Sequence, residues 1–248
     1  MPPTLPLRPR SASEIVDAAF QLYRRDPLTY VLISAICYAP ILVMQLIVFG
    51  PGTDVNEQLA NLTAGIGGLM IIGYWVSISL MSAVMIRLSA QDYLGNPIEP
   101  AAAVRESLVK LPAVMFALLM KYLLMFIGFI FFIFGAFWFM ARTFAVTPAI
   151  MVEDKGSLAS LGRSAKLSRG RKWHIFGTLM LAFVIFFVVY FAIAIVAQLT
   201  GSVVISTVLT VAVSIVFYPL FAIVEMLLYY DARVRNEGYD IEMMAEGV

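Results

Sequence analysis

Residues 111–152 read LPAVMFALLMKYLLMFIGFIFFIFGAFWFMARTFAVTPAIMV, forty-two residues with only two charges, Lys121 and Arg142. A helix crossing a membrane needs about 20 apolar residues, rising about 1.5 Å each, to cover about 30 Å of hydrocarbon. The stretch is far too long for one crossing. It is just long enough for two, turning tightly near Phe132–Gly135. Working outward, residues 27–53 and 58–86 carry no Lys or Arg, and 173–224 carries no charged side chain and is interrupted only by QLTGS at 198–202. The spacing predicts six spans, at 28–49, 64–88, 111–132, 135–152, 173–197 and 203–229.

The cations decide between one crossing and two at 111–152. With a hairpin, every Lys and Arg outside the spans falls on one side: Arg8, Arg10, Arg24 and Arg25, then Arg87, Arg105 and Lys110. Lys155, Arg163, Lys166, Arg169, Arg171 and Lys172 follow, and finally Arg233 and Arg235. The opposite loops, GPGTDVNEQLAN and QLTGS, contain no cation. Cationic flanks stay on the cytoplasmic side of a membrane, so six spans with both termini cytoplasmic are expected. Composition agrees: of 248 residues 61% are hydrophobic and 13% charged, against about 25% charged in soluble domains. The opening MPPTLPLRPRSASE lacks the short apolar core and cleavage site of a signal peptide.

A short amphipathic stretch precedes the first, third and fifth spans, at 11–26, 97–110 and 157–171. In the first, Ile15, Val16, Ala19, Leu22 and Tyr23 share a face, and Ser11 with Glu14 has capping-box spacing. In the second the apolar face is Ala101, Val104, Leu108 and Leu111; in the third it is Leu158, Leu161 and Ala165. Three units of interfacial helix plus two-span hairpin make a candidate threefold internal repeat. Residues 230–248 read as a cytoplasmic tail. There Tyr229 and Tyr230 are expected as interface anchors, Arg233 and Arg235 as phosphate contacts or partners of Asp231 and Glu237, and Gly238 as the helix end.

Three stretches carry a resemblance. SASEIVDAAFQLYRRDPLTYVLI, TPAIMVEDKGSLASLGRSAKLSRGRKWHIFG and LLYYDARVRNEGYDIE resemble bacterial six-span proteins of the glycerophosphoryl diester phosphodiesterase membrane-domain family. The resemblance covers nearly the whole chain, on loose patterns rather than a catalytic signature. It implies a multi-pass protein of the bacterial inner membrane. Some relatives join this unit to a soluble phosphodiesterase domain; the chain is expected to be the membrane unit alone.

The candidate site residues are few. Arg163, Lys166 and Arg169 recur every third residue as a basic stripe, with Trp173 and His174 at the membrane edge beyond them. Such a stripe serves as a topology signal or attracts anionic lipid phosphates, each cation contributing about 1 kcal/mol near the surface. Nucleic acid is a poor partner, because net charge is +1 and no aromatics interleave with the cations. Inside the spans, Lys121 and Arg142 sit at similar depth, and Glu225 is the only carboxylate. Each such cation costs on the order of 2.5–3.5 kcal/mol at a helix centre unless paired or hydrated. Ala64 and Gly68 have a small-xxx-small spacing that lets helices approach. Pro40, Pro148 and Pro219 are expected to kink their spans. Asn61-Leu62-Thr63 spells a glycosylation tripeptide only by chance.

One histidine, His174, and one cysteine, Cys37, build no metal set, disulfide or nucleophile–base pair, so no cofactor and no enzyme activity are expected. The chain reads as an all-α, non-catalytic polytopic membrane protein. Its expected partners are membrane lipids, anionic ones in particular, and an unidentified membrane or cytoplasmic protein. Its expected role is headgroup binding or scaffolding at the cytoplasmic face. The alternative is a transporter or lipid-translocating protein using Lys121, Arg142 and Glu225.

Overall fold

The computed structural model describes residues 8–49, 60, 65–131 and 133–239. Helices joined by short turns make up these residues, in the order α1 Ala12–Tyr23, α2 Pro27–Phe49, α3 Ile66–Tyr93, α4 Pro100–Phe131 and α5 Ile133–Arg142. Next come α6 Val146–Glu153, α7 Ser157–Leu167, α8 Lys172–Gln198 and α9 Val203–Glu237. Six helical segments are long and apolar enough to cross a membrane, with α5 and α6 together forming the fourth. The protein is therefore a multi-pass membrane protein.

Neighbouring long helices pack as the pairs α2–α3, α4–α5 and α8–α9, and α9 also touches α1, α2, α3, α6 and α7. The core lies at the end that carries both described chain ends. Met81, Met85, Ile86 and Leu88 of α3 meet Phe144, Ile150 and Met151 around α6 and Ile223–Tyr230 of α9. Away from that end, α4 and α8 leave large apolar side chains such as Phe131 and Phe187 exposed at the protein surface. That surface suits lipid as solvent.

Helix α1 begins as the sequence predicts. The Ser11 backbone N–H donates to Glu14 and the Glu14 backbone N–H donates to Ser11 Oγ, closing a capping box. Its apolar face is covered by protein rather than lipid, because α1 docks on α8 and α9 and buries Ile15 and Leu22 completely. The other two short stretches differ from expectation. Residues 100–110 form the first turns of α4, continuous through Pro112, and expose Leu108 while burying Ala103 and Ser107. In α7 the buried face is Ser160, Ser164 and Leu167, and Leu158 points outward at 70% exposure. A period of 3.6 located these helices, but the side that faces protein carries small and hydroxyl residues, which hydropathy does not reward.

The tail also departs from expectation. α9 runs without a break from the last span through Tyr229 and Tyr230, both fully buried and so not interface anchors, to a left-handed Gly238 cap. Its φ of 67° is one that glycine adopts without penalty. The remainder of the tail lies outside the described residues, as do Ala64 and the Asn61–Thr63 tripeptide. Gly68 is exposed and meets nothing. The close approach occurs instead between Gly128 of α4 and Gly135 of α5, where a Cβ built on Gly128 would lie 2.6 Å from the Gly135 carbonyl carbon. The fourth span breaks at Thr143–Ala145, just before Pro148, as a proline there dictates. Pro148 occupies the first turn of α6, where its missing N–H would have no intrahelical partner anyway.

Two outcomes test these assignments. Gly128→Ala forces backbone apart and should cost about 1–3 kcal/mol as overpacking does, lowering the melting temperature in detergent, whereas Gly68→Ala should not lower it. Equal melting of both variants would remove the close approach. Second, the Ser11 backbone N–H, and after it Arg8, hold the Glu14 carboxyl at about 2, below its ordinary 4.5. A depressed carboxyl stabilises the fold above its unfolded value and loses that contribution as pH falls through the folded one. The wild type should therefore melt above Glu14→Gln at neutral pH, with the gap closing between about 4.5 and about 2. A gap independent of pH would show that the cap is not the cause.

Candidate functional site

The chain breaks between α5 and α6 at Thr143–Ala145, buried backbone that needs partners inside the protein. Ser164 of α7 supplies them. Its Oγ donates to the Arg142 carbonyl at 2.9 Å and accepts from the Ala145 N–H at 3.0 Å. The Thr143 hydroxyl donates to the Phe139 carbonyl at 2.7 Å, closing the last turn of α5. This single hydroxyl seats α7 and thereby fixes where its cations point.

Arg163, one residue earlier, is turned inward and leaves the predicted stripe. Its Nε is 2.8 Å from both Glu153 carboxylate oxygens at the end of α6, and Nη2 is 2.7 Å from Glu237 Oε2 near the end of α9, where Nη1 also binds. Tyr229 donates to Glu153 at 2.6 Å, and Arg233 lies 3.5 Å from Glu237 while stacking on the Tyr239 ring at 3.7 Å. Two arginines thus meet two glutamates in a neutral cluster joining α6, α7 and α9. The hydrogen bond to Glu237 raises the Arg163 pKa above its ordinary value against desolvation, and Glu153 adds to it. A second cluster ties the N-terminal segment to α9. Asp231 accepts the Arg10 N–H at 2.8 Å and pairs with Arg235, His174 stands 3.5 Å away, and Arg235 donates to the Arg10 carbonyl. Arg233 and Arg235 are thus carboxylate partners rather than phosphate contacts.

Lys166 and Arg169 remain exposed and make no ion pair among the described residues. Lys172, half-buried, also makes no ion pair among the described residues, and Arg171 reaches only the Asn236 amide oxygen, at 3.5 Å. The stripe read from a repeat of three is therefore split. One member knits the fold and the others face outward.

Within the spans the structure brings Lys121 of α4 and Glu225 of α9 together, Nζ to Oε1 at 3.2 Å, both largely buried. Arg142 does not join them. Its guanidinium lies over the Trp138 ring at 5.0 Å, and Lys172 Nζ lies over the same ring at 4.1 Å. Between α5 and the start of α8, Trp138 and Lys172 line a groove of about 790 Å³ together with Phe134, Phe137, Trp173 and Phe176, and Arg142 stands outside its wall, against the Trp138 ring. A second, more polar pocket of about 490 Å³ includes Arg87 and Arg233, whose charges are committed to Glu106 and Glu237. Sequence reasoning missed the groove, because Trp138 and Lys172 stand 34 positions apart and neither is unusual alone. No group of three metal-ligating side chains occurs among the described residues.

Comparison of the chain with protein-family models, with curated proteins and with solved structures finds no match in any of the three.

The neutral cluster has a measurable consequence. Arg163→Gln leaves Glu153 and Glu237 facing each other in a mostly buried place and should destabilise the protein by on the order of 3 kcal/mol. Lys166→Gln, three residues on, should change stability by less than about 0.5 kcal/mol. Thermal melting of the two purified variants separates these outcomes, and comparable losses would mean that Arg163 is not the clamp.

Proposed function

We propose that this chain is a non-catalytic protein of the bacterial inner membrane, both termini cytoplasmic, that binds anionic lipid headgroups or scaffolds a partner at its basic end. Its resemblance to the glycerophosphoryl diester phosphodiesterase membrane-domain family belongs to the same proposal. One observation carries it. Within KLSRGRK, residues 166–172, all four cations lack a carboxylate partner among the described residues, whereas Arg163 just before them is fully paired. Charges held for folding are neutralised inside; these four sit where the chain turns into the apolar α8, beside Trp173 at 80% exposure. Cations and an amphipathic ring at that level match the phosphate layer of a membrane.

Translocation along Lys121, Arg142 and Glu225 has weaker support. Lys121 and Glu225 close on each other, and Arg142 stacks on Trp138.

Native mass spectrometry in gentle detergent tests the proposal, using protein loaded with equal phosphatidylglycerol and phosphatidylcholine. Wild type should retain phosphatidylglycerol preferentially, and the double variant Lys166→Gln/Arg169→Gln should lose several-fold of that preference, since each cation is worth about 1 kcal/mol. Added salt should act in the same direction. Equal retention of the two lipids by wild type would sink headgroup binding.

A further inference from the structure

The groove between α5 and α8 is unlike the rest of the surface, because two cations share one aromatic ring there. Arg142 and Lys172 both lie over Trp138, and neither has a carboxylate among the described residues. Each cation gains from the ring face, yet the two repel each other across a site of low dielectric. Their arrangement lacks an anion. Arg142 ends α5, and Lys172 is the first residue of α8, so the helix start there also favours negative charge.

The groove has a direction. Lys172 marks its polar end, near Gly170, with Arg142 held against the Trp138 ring just outside the wall. Phe134 lies eight residues up α5, about 12 Å along the axis. Phe137 and Phe176, with ring centroids 4.9 Å apart, form the apolar stretch between α5 and α8. A volume of about 790 Å³ is within the usual range for a ligand cleft, roughly 300–1,000 Å³. A free phosphate would use only the cationic end, and an apolar peptide would leave the two cations uncompensated. A molecule with an anionic head and a long apolar tail matches both.

We infer that this groove is a binding site for a single anionic glycerophospholipid, its phosphodiester at Lys172 beside the Trp138 ring that also carries Arg142, and one acyl chain along Phe134, Phe137 and Phe176. The site deepens the reading of the basic end as lipid-binding and rests on it. It also separates residues that attract anionic lipid in general, such as Lys166 and Arg169, from a pair that selects one molecule.

Bromine on an acyl chain quenches tryptophan only at close range, and Trp138 is in the groove wall. The chain has three tryptophans, so Trp75→Phe/Trp173→Phe leaves Trp138 as the sole reporter. This protein is placed in phosphatidylcholine nanodiscs containing a small fraction of lipid with brominated acyl chains, either phosphatidylglycerol or phosphatidylcholine. Brominated phosphatidylglycerol should quench with at least about fivefold higher apparent affinity, the effect of one unpaired cation at a lipid surface. In the same background Arg142→Gln/Lys172→Gln should bring the ratio close to one while quenching by brominated phosphatidylcholine persists, which shows the groove still open. Equal quenching by the two lipids before any charge is removed overturns the inference without reference to a variant that might misfold. Shielding of Trp138 from both lipids, as a second copy seated in the groove would produce, also overturns it. If Trp138 shows no preference while wild type retains phosphatidylglycerol by mass spectrometry, the groove falls and the basic end stands. Absence of both preferences removes both.

Discussion

Buried backbone that leaves a helix must find its hydrogen bonds inside the protein, and in this fold one hydroxyl meets that demand. The apolar run from Ile133 to Glu153 stops being helical at Thr143–Ala145, where Ser164 takes one N–H and satisfies one carbonyl. Seating Ser164 fixes the rotation of α7. The next residue back, Arg163, then has no choice but to enter the space between Glu153 and Glu237. Lys166, one turn later, is directed away from protein, and Arg169 follows in the exposed turn after the helix ends at Leu167. A helical rotation set by one serine therefore sorts a run of cations into structural and surface roles.

That sorting is also a matter of electrostatic cost. A guanidinium removed from water needs compensation close to its own charge, and two carboxylates plus Arg233 give a group of four whose charges cancel. Asp231 does similar work with Arg235 and the Arg10 backbone. The described carboxylates near α7 are engaged in these clusters, and none among the described residues pairs with 166–172. The excess positive charge is then a by-product of how tightly the interior is balanced, and it emerges at the rim where an apolar helix begins.

How much of this could be read from the sequence depends on what kind of signal each feature leaves. Helical runs such as Lys172–Gln198 are legible because length and the absence of charge are local properties. The hairpin between α4 and α5 was legible for the same reason, together with the placement of cations. Which side of a short helix faces protein was not. Ser160, Ser164, Ala103 and Ser107 fill buried positions because small side chains allow close approach, and a hydropathy pattern ranks them below the exposed Leu158 and Leu108. Tyr229 and Tyr230 misled by position: an aromatic pair at the end of an apolar run usually meets the membrane edge, but α9 continues and its core neighbours cover them. The Lys121–Glu225 pair was half legible, since a lone intramembrane carboxylate invites a cation, but which of two cations would claim it depends on helix rotation alone.

The two intramembrane cations then illustrate two solutions to one problem. Lys121 and Glu225 neutralise each other between α4 and α9, so the pair links two helices that hydrophobicity alone would not hold together in lipid. Its proton and charge are engaged, which suits a strut better than a path. Arg142 has no such partner among the described residues and sits at the end of α5, where a ring face and the negative end of its own helix make up part of the lost hydration. Partial compensation keeps the residue in place but leaves its charge available. Added to Lys172 on the same ring, that remaining charge leaves two cations at one aromatic-walled groove, with no carboxylate partner for either among the described residues. In a bilayer, the anion present at highest local concentration and correct depth is a lipid phosphate.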